Sequence, residues 1–249
     1  MLDSKVALVT GAGQGVGQGI ALALARHGAR VAVAGRTVSK CEATCKRISE
    51  RGGVAKPFEV DVKDAGSLAG CVDGVVREFG GIQILVNNAQ EVPLGSLHDV
   101  TDESFTAGWE SGPLAAHRLM KLCYAHLKGD GCIINLGSTA ARRWDASNFG
   151  PYAAVKEAIR ALTRAAASEW GGDGIRANVI LPHAKSPGLE WWIENNPKEA
   201  AAFIATIPMG RIGETEADIG EFVAFLCSPG AGYVSGQSIA VDGGQAYMP

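Results

Sequence analysis

Short apolar runs rich in β-branched residues alternate with longer amphipathic segments along the chain. Residues 5–10 form the first run, which is almost continuously apolar, as in a strand buried on both faces of a sheet. Similar runs predict strands at 30–34, 54–60, 82–86, 132–136, 175–181 and 238–241, and helical periods cover 39–51, 67–79, 101–128, 151–170 and 214–226. Strand–helix alternation with short links predicts right-handed crossovers and a parallel sheet.

Two segments depart from this regular pattern. The helix predicted over 101–128 contains Gly108 and the pair Gly112-Pro113, which should kink or weaken it. Residues 184–210 show no regular period, so we expect an irregular segment there.

Composition and charge exclude several classes of protein. The chain has 249 residues, which fits one large α/β domain or two small ones, and we expect one domain over 1–249. Its net charge of −3 comes without a basic block. We therefore expect neither nucleic acid nor a membrane surface as a partner. The six cysteines form no Cys-x-x-Cys pair and have no histidine cluster beside them, which argues against a metal site. The start of the chain leaves no room for a signal peptide, and with free thiols this predicts a cytoplasmic protein.

A glycine-rich turn joins the first strand to the first helix. It reads Thr10-Gly11-x-x-x-Gly15-x-Gly17, with Gln14 and Val16 inside it. Backbone N–H groups in such a turn, together with a helix N-terminus, can receive a pyrophosphate. The alternative interpretation is a flexible surface turn.

The end of the second predicted strand bears on the cofactor. NAD-binding proteins usually carry an acid there to hold the ribose hydroxyls, but this chain has Gly35-Arg36. A guanidinium suits a 2′-phosphate through charge-assisted hydrogen bonds. We therefore predict NADP(H) as the preferred cofactor, with NAD(H) as the alternative. Arg36 as a solvated loop charge remains the competing interpretation.

Tyr152 and Lys156 are the leading catalytic candidates. They are four residues apart near the start of the helix predicted over 151–170, so they should share a face. A cation beside a phenol favours the phenolate and lowers the tyrosine pKa towards the range of an acid–base catalyst. A buried tyrosine beside a solvated lysine is the alternative.

Taken in order, the motifs resemble those of the short-chain dehydrogenase/reductase family over essentially the whole chain. They are Thr10-Gly11-x-x-x-Gly15-x-Gly17, Asp61-Val62, Asn87-Asn88-Ala89, Ser138, Tyr152-x-x-x-Lys156 and the ending Ser235-Gly236-Gln237…Val241-Asp242-Gly243-Gly244. The resemblance implies a single-domain, doubly wound Rossmann fold of α/β class with a seven-stranded parallel sheet, assembled as a homotetramer or homodimer.

The resemblance also implies roles for individual residues. Tyr152 would be the general acid or base, Lys156 would lower its pKa and hold the nicotinamide ribose, and Ser138 would hold the substrate oxygen. The glycine turn (Gly11, Gln14, Gly15, Val16, Gly17) and Arg36 would bind the cofactor phosphates, Asp61 and Val62 would border the adenine, and Asn88 would lie beside the ribose.

Three positions depart from the family pattern. Gln90 stands where the family has glycine, and His183 where it has the glycine of a Pro-Gly pair. Gly112 stands where the family has an asparagine that orients a water connecting the lysine to solvent. We expect Ser111 or a backbone carbonyl to hold this water instead. Many NADP-dependent members of the family carry a basic residue within the glycine turn, but this chain has Gln14 there, so the NADP(H) prediction rests on Arg36 and the absent acid.

The implied activity is reversible ketone reduction or secondary alcohol oxidation on a fairly bulky apolar substrate. The candidate pocket residues are Gln90, Trp144, Phe149, His183 and Trp191, with 184–210 as a covering loop. The aromatic residues could instead fill the core or a subunit interface. Two alternatives stay open for the function: a silent dinucleotide-binding sensor or scaffold, and a related enzyme of other chemistry (C=C or imine reduction, dehydration, epimerisation).

Overall fold

Seven parallel strands form one sheet, in the order β3-β2-β1-β4-β5-β6-β7. A computed structural model describes residues 1–142 and 148–246. The strands are β1 (Val6–Thr10), β2 (Arg30–Gly35), β3 (Val54–Glu59), β4 (Ile84–Asn87), β5 (Gly131–Leu136), β6 (Ile175–Pro182) and β7 (Ser238–Val241). The order reverses between β1 and β4, as expected for a doubly wound sheet. The predicted α/β class and parallel sheet are confirmed.

Helices cover both faces of the sheet. They are α1 (Gly15–Arg26), α2 (Val38–Ser49), α3 (Ala65–Phe79), α4 (Asp102–Trp109), α5 (Ala115–Leu127), α6 (Gly150–Trp170), α7 (Pro187–Asn195), α8 (Pro197–Ile204) and α9 (Glu221–Leu226). Residues of α1, α2 and α9 pack into one apolar cluster, and those of α3, α5 and α6 pack into another. Because β1 and β5 lie between these clusters, every residue of both strands is buried, which explains their nearly continuous apolar sequence.

The kink predicted near Gly112 is present as a change of helix type. Between α4 and α5 the chain forms a π-helical turn over Glu110–Leu114, with Pro113 inside it. Proline has no N–H to donate and its ring crowds the preceding turn, so regular α-helical hydrogen bonding stops there. Ser111, Gly112 and Pro113 are all buried.

The expectation of an irregular segment over 184–210 was wrong, because α7 and α8 lie within it. Both begin with a proline at a position where the missing N–H costs nothing, and Ser186 caps α7 by accepting a hydrogen bond from the Leu189 N–H (3.3 Å). Helix α7 has only nine residues, and its apolar residues Leu189, Trp192 and Ile193 are half-buried, so its helical period is too short to stand out.

The helix predicted over 214–226 also divides in two, since a π-helical turn over Thr215–Gly220 precedes α9. Across the part of the chain that the structure describes, no helix combines the length and apolarity that crossing a bilayer requires.

Candidate active site

The carboxyl ends of the parallel strands bring the predicted catalytic residues to one edge of the sheet. Ser138 follows the end of β5 by two residues, and Tyr152 and Lys156 lie in the first two turns of α6. The Lys156 ammonium lies 5.4 Å from the centre of the Tyr152 ring, so the two side chains share a face as expected.

Lys156 is held deep inside the protein. It is only 2% exposed, and its Nζ donates a hydrogen bond to the Leu136 carbonyl at the end of β5 (2.7 Å). Burial disfavours the ammonium and lowers the pKa of Lys156 to about 7. The alternative of a solvated lysine is therefore excluded.

Tyr152 shows the opposite shift. Burial raises the pKa of its phenol to about 12, and a hydrogen bond with Ser138 partly opposes this. Ser138 Oγ also accepts a hydrogen bond from the Ala140 N–H (3.1 Å), which fixes its position. The expectation that Lys156 lowers the pKa of Tyr152 below its ordinary value was wrong for the cofactor-free protein. Desolvation of the phenolate dominates, because the deeply buried lysine is itself driven towards its neutral form.

The glycine turn is clamped by Asn88. Its Nδ2 donates hydrogen bonds to the carbonyls of Thr10 (2.8 Å) and Gly11 (3.2 Å). A Cβ on Gly17 would lie 2.4 Å from Asn88 Nδ2 and 2.5 Å from the Gly11 carbonyl oxygen, so only glycine permits this close approach. Asn88 therefore holds the backbone of the glycine turn in place.

A cleft of about 560 Å³ opens in front of this turn. It is lined by all the residues predicted to bind the dinucleotide apart from Tyr152 and Lys156, namely Gly11, Gln14, Gly15, Val16, Gly17, Arg36, Asp61, Val62 and Asn88. Gln14 at the start of α1 makes no side-chain capping hydrogen bond, which leaves the first N–H groups of the helix available to an anion. The donor set thus fits a pyrophosphate. A groove of about 920 Å³ beside α1 and α2 contains none of the predicted site residues.

Two charged residues of the cleft were missed by the sequence analysis. Lys40 donates from Nζ to Gln14 Oε1 (2.6 Å), which places a second cation near Arg36. Glu91 accepts from both Arg36 and Lys63, each at 3.0 Å. Lys40 was detectable as a lysine in the first turn of the helix after Arg36, whereas Glu91 carried no local signal.

The residues proposed for the substrate pocket separate into two groups. The Phe149 ring lies 6.2 Å from that of Tyr152, and the His183 ring packs edge-on against Phe203 of α8 (5.3 Å). Trp191, in contrast, is 63% exposed, and its neighbour Trp192 is the one that packs against Phe203 (5.8 Å). Trp144 lies outside the described residues.

Gln90 lines the dinucleotide cleft and also lies against the π-helical turn. Its Nε2 donates to the carbonyls of Glu91 (2.7 Å) and Gly108 (2.8 Å). Gln90 thus links the loop after β4 to the end of α4.

Comparison with known proteins agrees with this arrangement. Residues 11–246 match the family model described as enoyl-(acyl carrier protein) reductase. The chain is 36% identical to 12α-hydroxysteroid dehydrogenase of Clostridium sp. (strain ATCC 29733 / VPI C48-50), covering 100% of this chain and 99% of the relative.

Two solved structures share the whole fold. One is a single-substitution variant of actinorhodin polyketide ketoreductase with NADPH (TM-score 0.92, 30% identity, covering 100% of this chain and 99% of the other). The other is 7α-hydroxysteroid dehydrogenase complexed with NADH and 7-oxo glycochenodeoxycholic acid (TM-score 0.93, 31% identity, covering 99% and 96%). The protein is thus a single-sheet Rossmann oxidoreductase. It belongs to the short-chain dehydrogenase/reductase family.

The burial of Lys156 predicts a specific dependence of stability on pH. Since its pKa falls from 10.5 to about 7, the unfolded chain binds more protons at this side chain than the folded chain between those pH values. The free energy of unfolding should therefore rise with pH across this window. Lys156→Met removes the group, so the stability of the variant relative to the parent should be highest below pH 7 and decline towards pH 10.5. Urea unfolding of the cofactor-free proteins from about pH 6 to 10 measures this.

Lys46→Met is the matched control, because Lys46 is 78% exposed on α2. Its stability relative to the parent should show no such trend. A constant difference for Lys156→Met over the same range would contradict the account.

Proposed function

We propose that the protein is an NADP(H)-dependent oxidoreductase that interconverts a ketone and a secondary alcohol on a fairly bulky apolar substrate. The observation that carries this proposal is the convergence of Ser138, Tyr152 and Lys156 at the carboxyl edge of the sheet. The hydroxyls of Ser138 and Tyr152 share a hydrogen bond, and the buried amine of Lys156 lies beside them. This arrangement can bind one substrate oxygen and exchange a proton with it.

Each side chain has a distinct task in ketone reduction. Ser138 and Tyr152 donate hydrogen bonds to the substrate oxygen, and Tyr152 transfers its proton as negative charge develops there. The raised pKa of Tyr152 keeps this proton on the phenol until that moment. When Lys156 is protonated, it stabilises the phenolate that remains. A bound nicotinamide supplies or accepts the hydride.

Cations at the far end of the cleft support NADP(H) as the preferred cofactor. Arg36 and Lys40 both line it near the end of β2, and the strand itself ends in Gly35, with Arg36 after it, instead of in an acid. A 2′-phosphate would compete with Glu91 for Arg36, while Lys63 remains as a partner for Glu91. The polyketide ketoreductase with NADPH is a relative that binds this cofactor, whereas the hydroxysteroid dehydrogenase structure contains NADH.

The aromatic surroundings of Tyr152 support the proposal of a bulky apolar substrate. Phe149 and the cluster of His183, Trp192 and Phe203 provide aromatic surface on that side of the fold. Ser186 and Pro187, at the start of α7, line the dinucleotide cleft, so residues 184–210 act as its cover within a single domain over 1–249. The steroid and polyketide enzymes among the relatives have names that fit large ring substrates.

We also propose that the protein assembles as a homotetramer or homodimer.

Replacing the proton donor tests the proposed chemistry. Tyr152→Phe should lose about 10²- to 10⁴-fold in kcat on the best ketone of a screened panel, because it removes the general acid, and it should still bind NADPH. Tyr124→Phe is the matched control, since its hydroxyl bonds to Asp173, away from the catalytic edge. Turnover by Tyr152→Phe at the parent's rate would place the chemistry elsewhere. A parent that binds NADPH but reduces none of the panel would favour a silent dinucleotide-binding protein.

A second substitution tests the cofactor preference. Losing a charge-assisted hydrogen bond costs about 1.5–3 kcal/mol, so Arg36→Ala should weaken NADPH binding about ten- to a hundredfold. NADH binding should hardly change, and Lys46→Ala, which removes an equal charge outside the cleft, should affect neither. Fluorescence titration with both cofactors measures this. Equal losses of both would remove Arg36 from the 2′-phosphate site.

A further inference from the structure

Gln90 and Gly112 fit together as one structural unit. A Cβ on residue 112 would lie 2.3 Å from Gln90 Oε1 and 2.9 Å from Gln90 Nε2. The side-chain amide of Gln90 therefore fills the space that any side chain at position 112 would need. The position of the Gln90 side chain therefore requires glycine at position 112.

The orientation of the Gln90 amide is fixed by the two hydrogen bonds that its Nε2 donates. Gln90 Nε2 faces the carbonyl oxygens of Glu91 and Gly108, at 2.7 and 2.8 Å, which accept its two hydrogens. Because carbonyls can only accept, the amide cannot be flipped without losing both hydrogen bonds. Its Oε1 must point the other way, where it is buried and has no hydrogen-bond partner among the described residues.

A second buried acceptor and a buried donor border the same space. A cavity of about 10 Å³, close to the lower limit for one water molecule, is lined by Asn87, Gln90, Gly112 and Lys156 among others. Asn87 Nδ2 donates to Asn135 Oδ1 (2.7 Å), but Asn87 Oδ1 is buried without a partner in the described chain. Lys156 donates one of its three ammonium hydrogens to Leu136.

Ser111, which the sequence suggested as a holder of this water, already makes two hydrogen bonds with its own surroundings. Its Oγ donates to the Ala107 carbonyl (2.7 Å) and accepts from the Glu91 N–H (2.9 Å). The longer contact from Gln90 Nε2 (3.4 Å) brings no further full hydrogen bond, because both amide hydrogens already face the carbonyls of Glu91 and Gly108. The single hydrogen of the hydroxyl is therefore in use, and Ser111 could meet a water only as an acceptor.

We propose that Gln90 Oε1, Asn87 Oδ1 and the Lys156 ammonium together hold one water molecule, which makes Gln90 a positioning residue for Lys156. The water accepts from the ammonium and donates to the two amide oxygens, so both orphaned oxygens gain a partner and Lys156 gains a second acceptor. Acceptance from Lys156 favours its charged form beside Tyr152. The water site stands on geometry alone, and only its effect on turnover rests on the proposed function.

The protonation state of Lys156 can be measured without an assay of enzyme activity. In protein carrying ¹⁵N-labelled lysine, an NMR titration assigned with Lys156→Met gives the pKa of its amine. Gln90→Met keeps the length of the side chain but removes the amide, so this pKa should fall by about one unit, a tenfold loss of the charged form at a given pH. Gly112→Ala should act in the same direction, because its new methyl displaces the Gln90 amide. It also provides an independent variant should Gln90→Met not fold.

Leu119→Met is the matched control, since Leu119 is a buried apolar residue that lines the same cavity. It should leave the pKa of Lys156 unchanged. A crystal structure of the parent should show one ordered water within hydrogen-bond distance of all three groups. A dry cavity, or an unchanged pKa of Lys156 in both Gln90→Met and Gly112→Ala, would overturn the proposal.

The pH profile of kcat separates this proposal from the proposed function. If both hold, the limb of the profile due to Lys156 should move to lower pH in Gln90→Met by the same amount as the NMR pKa. If the NMR pKa moves and the parent reduces no carbonyl compound, the water site stands and the proposed function fails. If the parent is active and the NMR pKa does not move, the proposed function stands and the role of Gln90 fails.

Discussion

The hydrogen bond from Lys156 to the Leu136 carbonyl is the contact on which the arrangement of the catalytic edge depends. Leu136 is the last residue of β5, and it is buried. A buried carbonyl without a partner is unfavourable, and the ammonium satisfies it with a charge-assisted hydrogen bond. This contact ties the start of α6 to the end of β5, near Tyr152 and Ser138, while the hydrogen bond from Asn135 Nδ2 to Thr163 Oγ1 (2.9 Å) joins the same two elements further along.

The same contact explains the electrostatic character of the site. A lysine that satisfies a strand end must leave water, which lowers its pKa, and the phenol it accompanies is desolvated as well, which raises the pKa of Tyr152. Each buried group is driven towards its neutral form, so the fold need not hold an uncompensated charge. Such a pair responds strongly to any nearby charge or hydrogen-bond acceptor. The amide of Gln90 and the charge that develops on a substrate oxygen are therefore more effective here than they would be in water.

Much of this architecture could be predicted from the sequence because its signals are local. Apolar runs identified the strands, and the four-residue spacing of Tyr152 and Lys156 placed them on one face of a helix. The pair Gly112-Pro113 marked the break between α4 and α5. These features depend on periodicity and on backbone chemistry that a short window of sequence contains.

The features that could not be predicted depend on contacts between distant segments. Glu91 pairs with Arg36 across the cleft, and the amide of Gln90 fills the space above Gly112, yet neither contact leaves a local pattern. The pKa of Lys156 depends on how deeply α6 packs against β5, which spacing alone does not determine. Helix α7 was missed for a different reason, since its apolar period covers only nine residues, less than the window in which such a period is distinct.

The central claim is that hydride passes directly between a nicotinamide and a carbinol carbon at the edge where Tyr152 lies. The most direct test is ketone reduction with NADPH that carries deuterium at C4, prepared separately as each of its two stereoisomers. The account predicts that deuterium from one stereoisomer, and not the other, is recovered on the carbinol carbon of the product. Product that forms with solvent hydrogen at that carbon from both stereoisomers would contradict it.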